Sequence, residues 1–275
     1  MKRIFVLWCA AALFAVACEK ENPTPAQENP MNPSDTTQTD TTQTDTTQVD
    51  PSTEVFIPNA VTDYDGNSYD AVRIGEQVWM ASNLRTRHYA NGEDIPNGAT
   101  ISDIEPYRYM PGDNESNVAA YGYLYNWPAA MHGAASSEAN PSGVQGICPN
   151  GWHVPSDAEW TQLTDYCAGN PECVCSGNGS NIAKSLAADH DWNLSTNECA
   201  VGNDLSANNA TGFSTLPAGS WSAWASGFGT YAYFWSTTGA SSADAFGRCL
   251  NYDDARVIRN FRYRDGGFSV RCVRD

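Results

Sequence analysis

Basic residues are scarce in this chain. Only 15 Lys and Arg stand against 32 Asp and Glu among 275 residues, for a formal net charge of −17. A surface so acidic repels phosphate backbones and anionic lipid headgroups, which argues against nucleic acid and anionic membrane surfaces as partners, and acidity of this kind otherwise serves solubility. Long apolar runs are missing after residue 17, so no later segment reaches the length of about 20 residues that a spanning helix needs. There is no G-x-S-x-G elbow, no H-E-x-x-H pair and no phosphate-binding glycine loop. No cysteine pair has C-x-x-C spacing, and Cys173 and Cys175 stand too close together for a zinc knuckle. Acid pairs of the glycoside-hydrolase kind could be drawn from so many carboxylates, but nothing singles one out.

What is present begins at the N-terminus. In MKRIFVLWCAAALFAVA, Lys2 and Arg3 precede an apolar run that is too short to span a bilayer, and small residues follow. Residues 1–17 therefore read as a cleavable signal peptide. AVAC resembles a bacterial lipobox, in which Cys18 is lipidated and becomes the mature N-terminus; the alternative is a plain secreted protein with Cys18 as an ordinary thiol. Residues 18–54 are rich in Pro, Thr, Gln and Asp, almost free of apolar side chains, and repeat a five-residue unit. Such a segment cannot bury enough surface to offset its chain entropy, so a disordered, extended stalk is expected. The acids just after Cys18 resemble the surface-export signals of Bacteroidota lipoproteins. Thr36, Thr41 and Thr46, each following an Asp, resemble that phylum's O-glycosylation sites, with a bare spacer as the alternative. These signals point to an outer-membrane lipoprotein, with exposure at the cell surface expected and an anchor facing the periplasm as the alternative.

Residues 55–275 are enough for one domain with a sizeable core. Residues 1–54 hold eight acids and three bases, which leaves the domain 24 acids and 12 bases, a net charge near −12. Seven cysteines lie beyond Cys18: Cys148, Cys167, Cys173, Cys175, Cys199, Cys249 and Cys272. Outside the cytoplasm most should be disulfide-bonded, and an odd number leaves at least one free or intermolecular. Disulfides are favoured over a metal site. Asp63, Asp65 and Asn67 hint at a calcium loop, but the glycine falls too early for an EF-hand. No cofactor is expected, though so acidic a domain leaves room for a structural calcium ion.

The domain is rich in Gly, Ser and Asn, so short strands and long loops are expected. Val72 and Ile74, then Val78 and Met80, alternate with other residues around Gly75-Glu76, the pattern of a β-hairpin. GICPNGWHVPSDAEW, residues 146–160, gathers a cysteine, a histidine, acids and tryptophans as an active site would. Ser156-Asp-Ala-Glu159 is, however, a capping box, and Trp160, Leu163 and Cys167 follow on one helical face. The carboxylates are accounted for by a helix start. His153, with no metal partner near it in sequence, reads as a packed or surface histidine. A second helix is expected at residues 181–188, and β structure returns in FSTLPAG, YAYFWSTT, AFGRCLNY and GGFSVRCVRD.

TDYDGNSYDAVRIGEQVWMASNL, YGYLYNW, CPNGWHVPSDAEW, GFSTLPAG, YFWSTT and GFSVRCVRD, in this order, closely resemble the FISUMP domain (Fibrobacter succinogenes major paralogous family) over residues 61–275. The resemblance implies an α+β, C-type-lectin-like fold: two helices, a small twisted antiparallel sheet and long irregular loops. It also implies that Cys148 pairs with Cys272. The pairing of Cys167, Cys173, Cys175, Cys199 and Cys249 stays open. Fold analogy alone licenses no activity.

The architecture of anchor, stalk and lectin-like domain suggests a non-enzymatic binding or adhesion module for a surface glycan or protein, attached to the membrane through the lipid only. In SWSAWASGFGTYA, Trp221 and Trp224 sit among small residues, as in a loop that presents rings for stacking on sugars; the alternative is that both rings fold into the core. Tyr252, Asp253 and Asp254 form a second candidate site, which would otherwise be a solvated turn. NPE (170–172) and WNL (192–194) match neither triplet of calcium-dependent C-type lectins, so calcium-dependent sugar binding is not supported. A structural subunit of a surface or fimbrial assembly, linked through an odd cysteine, is the alternative. An enzyme akin to the formylglycine-generating group is a further one, but the contexts of Cys173, Cys175 and Cys249 do not match that group's copper-binding pair.

Overall fold

The computed structural model describes residues 55–275. The segments expected to be a signal peptide (1–17) and a stalk (18–54), with Cys18 as the expected lipidation site and Thr36, Thr41 and Thr46 as expected glycosylation sites, lie outside the described residues. In chain order the strands are β1 (Phe56–Thr62), β2 (Ser68–Ile74), β3 (Gln77–Met80), β4 (Arg108–Tyr109), β5 (Leu124–Tyr125), β6 (Trp152–His153), β7 (Ser220–Trp221), β8 (Ala225–Ser226), β9 (Tyr231–Gly239), β10 (Asp244–Asn251), β11 (Ile258–Tyr263) and β12 (Val273–Arg274). The helices are α1 (Val118–Tyr121), α2 (Trp127–Met131), α3 (Asp157–Gly169) and α4 (Ala183–Leu186). The class is mixed α and β, dominated by short strands. In place of one small sheet there is a five-stranded sheet in the order β1-β2-β3-β12-β6, a three-stranded sheet β11-β10-β9, and two strand pairs.

The hairpin of residues 68–80 forms as its alternation predicts. Ile74 faces Gln77 across a two-residue turn in which Gly75 takes a φ of 61°. Both faces of β3 are covered, which is why its side chains are buried without interruption. Val78 and Met80 join a core with Tyr69, Ala71, Tyr125 and Trp235, and Trp79 enters a second core on the opposite face. In that second core Trp79 lies 4.6 Å from Trp160 and 5.7 Å from Phe213. Burying each such side chain stabilises the fold by roughly 1.5–3 kcal/mol.

α3 starts as the capping box requires. Ser156 Oγ accepts from the Glu159 amide at 3.2 Å, and Glu159 Oε2 accepts from the Ser156 amide at 2.9 Å. Trp160, Leu163 and Cys167 are its buried apolar residues, and Asn170-Pro171 ends it. The helix expected at 181–188 contracts to the four residues of α4, bounded by a cap residue, Ala187, in extended conformation. FSTLPAG contains no strand, and only Val273–Arg274 of GGFSVRCVRD is one. Those segments make isolated bridges instead, such as Ala187 with Thr215 and Phe234 with Ser269.

Cys148 and Cys272 are joined, as are Cys175 and Cys199. Cys167, Cys173 and Cys249 are buried thiols, so four of the seven cysteines beyond Cys18 are bonded, as expected of most, and three are left over. Burial pushes the Cys167 and Cys249 thiols up to about 12, far from the reactive thiolate range. In native protein these three thiols should resist alkylation by iodoacetamide at neutral pH, and a non-reducing gel should show no dimer linked through them. Rapid labelling or a dimer abolished by Cys249→Ser would contradict this.

Arg271 is the most unusual core residue. It is 1% exposed and lies over the Phe213 ring at 4.5 Å. Its guanidinium donates to Asn83 Oδ1 at 2.8 Å, to the Met80 and Ser214 carbonyls at 3.0 Å, and to the Phe213 carbonyl. Burial lowers its pKa to about 9, still well above neutrality.

Candidate functional site

The segment that was expected to present two tryptophans forms the β7–β8 hairpin, with Ser220 opposite Ser226 and Trp221 opposite Ala225. Its two tryptophans take opposite roles. Trp221 is 6% exposed, which corrects the expectation that it offers its ring to a ligand. Its ring stacks on Tyr109 at 4.0 Å, and its backbone bonds Gly267 in both directions. Asp113 clamps the hairpin with both carboxylate oxygens: Trp221 Nε1 donates to Oδ1 at 2.9 Å and the Ala225 amide to Oδ2 at 3.1 Å. Gly219 sets the approach, because a Cβ there would come within 2.4 Å of the Ser226 carbonyl.

Trp224, at the tip, is 66% exposed. Phe228, just past β8, is 39% exposed and lies 4.6 Å from the half-buried Tyr121 ring. The Tyr121 hydroxyl donates to Asp191 Oδ2 at 2.8 Å, and burial with that carboxylate holds the phenol above its ordinary pKa. Asn193 closes the rim: its backbone amide bonds the Gly229 carbonyl at 2.9 Å and its side chain bonds Thr230 Oγ1 at 3.1 Å. The result is an aromatic pair of Phe228 and Tyr121 with a carboxylate and an amide at its edge, and Trp224 exposed at the tip of the same hairpin. Such a surface can stack on an apolar ring face while its polar edge bonds hydroxyls.

Tyr252, Asp253 and Asp254 border the same region without facing it freely. Ser195 Oγ donates to Asp253, two residues on from Asn193, and the Tyr252 amide bonds the Thr230 carbonyl. Asp254 is bound by Arg256 at 3.0 and 2.8 Å, and that contact holds its carboxyl below the usual range. These acids are committed to a turn, so only Tyr252 remains a candidate contact, and it is half-buried against the second core.

His153 is fixed from both sides. Nε2 sits 2.6 Å from Glu159 Oε1 and Nδ1 2.7 Å from Asp275 Oδ1, with His153 and Glu159 both buried. Two carboxylates on the two ring nitrogens stabilise an imidazolium and leave no lone pair for general-base work. Burial pushes the pKa down, but the bonds and charge of Glu159 and then Asp275 outweigh it, and the pKa stands above the ordinary 6.5. A raised folded-state pKa contributes stability that is complete below 6.5 and is lost as pH climbs through the folded value. The melting temperature of the protein should therefore fall as pH rises above neutrality, with a smaller fall in His153→Gln. Identical pH profiles for the two proteins would contradict this.

The Asp63 and Asp65 carboxylates are also engaged by protein. Asp63 accepts from Asn67 and from the Tyr69 hydroxyl, and Asp65 from Thr86 and the Arg87 amide. Among the described residues no group of three His, Cys, Asp or Glu is placed to hold a metal ion.

A family model described as the Fibrobacter succinogenes major domain matches residues 72–274. No curated protein and no solved structure matches the chain.

Proposed function

The chain belongs to the Fibrobacter succinogenes major domain family, and we propose that it is a non-enzymatic binding module that recognises a glycan through the β7–β8 hairpin. One observation carries this reading: the hairpin buries Trp221 against Tyr109 and Asp113 and so holds Trp224 out in solvent at its tip. An unanchored loop with two apolar rings would collapse onto the core. The rim of Asp191 and Asn193 offers acceptors and a donor of the kind that sugar hydroxyls pair with. The proposed setting is a C-type-lectin-like domain carried at the cell surface by lipid on Cys18. Among the described residues no helix is long and apolar enough to cross a membrane. Binding should not need calcium, since the acids nearest the surface are bonded to protein groups. The test is a broad glycan array probed with and without chelator. A signal unchanged by chelator supports the reading, and no signal on any glycan overturns it.

One observation favours a second reading, a structural subunit. Among the described residues β11 bonds only β10, and it exposes Phe261 and Tyr263 at 57% and 70%. An open strand edge with large apolar side chains is suited to pairing with a second copy. A monomeric mass in solution at high concentration would argue against it.

A further inference from the structure

A cavity of about 330 Å³ lies on another part of the surface, lined by Tyr89, Glu93, Asp103, Trp127, Met131 and His132 together with two prolines and Ile104. Two short elements build it. The turn after Arg87 folds tightly, with the Tyr89 amide on the Glu93 carbonyl at 2.9 Å and the Gly92 amide on the Tyr89 carbonyl, which sets Glu93 beside the Tyr89 ring. α2 supplies Trp127 and Met131 and ends at His132, which takes the left-handed conformation, φ 49° and ψ 46°. The His132 ring then lies flat on Tyr89, with ring centres 3.6 Å apart and planes within 10°, and its Nε2 reaches Glu93 at 3.1 Å.

Two features of this cavity are not explained by packing. Tyr89 is 1% exposed, yet its buried hydroxyl has no hydrogen-bond partner among the described residues, which is costly for a core group. The lining carries two carboxylates and no lysine or arginine, and Asp265 lies near enough to Asp103 that its own carboxyl is raised, first by burial and then by that charge. The Arg264 guanidinium, 4.0 Å from the Trp127 ring centre, is outside the lining and donates to the Ser241 and Asp244 carbonyls.

We propose that this cavity is a binding site for a small organic cation, an ammonium group on an apolar body. Aromatic ring faces are electron-rich and attract an ammonium group, and Glu93 and Asp103 add charge of the right sign at the mouth. The Tyr89 hydroxyl is closed off from solvent, so it borders the site without contacting the ligand. Met131, Pro106 and Pro128 are suited to an apolar body rather than to a polyhydroxylated one. The site is independent of the glycan reading and stands or falls without it.

The probes are benzylammonium and its neutral near-isostere benzyl alcohol, titrated into the full chain while the Tyr89 and His132 ring resonances are followed by NMR. Benzylammonium should shift both sets with a dissociation constant on the order of 1 mM, and benzyl alcohol should bind at least about tenfold more weakly. Glu93→Gln with Asp103→Asn changes two exposed side chains and should weaken benzylammonium binding about tenfold while leaving benzyl alcohol unaffected. Equal affinity for the two probes, an unchanged constant in the double variant, or no shift at about ten times the expected constant would each overturn the proposal.

Discussion

Arg271→Met is expected to leave the domain largely unfolded at room temperature. The guanidinium is enclosed, and it satisfies Asn83 Oδ1 together with the Met80, Phe213 and Ser214 carbonyls, while its plane packs over Phe213. Methionine fills the volume but supplies no donor, so several buried acceptors lose their partner at once. Each such loss costs about 1–3 kcal/mol, and together they approach the 5–15 kcal/mol by which a domain is typically stable. Arg271→Lys should fare little better, because a single ammonium cannot serve acceptors placed around a planar fork. Denaturant unfolding of both variants checks this. A loss below about 1 kcal/mol in either would mean that the carbonyl cradle is satisfied without Arg271.

The second large effect is expected from opening the Cys148–Cys272 bridge. It closes a loop of 124 residues, against 24 for Cys175–Cys199. On the chain-entropy account the long bridge stabilises by about 5 kcal/mol and the short one by about 3.5 kcal/mol. The position of the long bridge adds to this, since Cys272 sits between Arg271 and β12, whose two residues link β3 to β6 in the five-stranded sheet. Cys148→Ala with Cys272→Ala should therefore lower the unfolding midpoint markedly more than Cys175→Ala with Cys199→Ala. The reverse order would show that the folded core holds β12 in place without the covalent tie.

Some of this was legible in the sequence because the interactions that matter are local. The α3 start needs only Ser156 and Glu159, three residues apart, and the β2–β3 hairpin needs only its alternation and Gly75. The roles of Trp221 and Trp224 were not separable in the same way. The two rings have similar sequence surroundings, and what distinguishes them is Asp113, 108 residues away from Trp221. Arg271 was passed over because its acceptors lie 57 to 191 residues away. A signal did exist: in VRCV, Val270 and Cys272 share one face, which leaves Arg271 on the face of Val273 and therefore in the core. β11 escaped notice because Arg259, Arg262 and its exposed aromatics give an edge strand no apolar alternation. His153 gave half its answer, since Glu159 is six residues on, while Asp275 is 122 away.

The account of the hairpin as an anchored aromatic surface is tested most directly by Trp224→Ala with Phe228→Ala, measured beside the unaltered protein on the same glycan array and in the same thermal melt. Both side chains are exposed, so the melting temperature should stay within a few degrees of the original, while binding to every glycan recognised by the unaltered protein should fall by at least about tenfold. Full retention of binding in a folded double variant would contradict the assignment of the site.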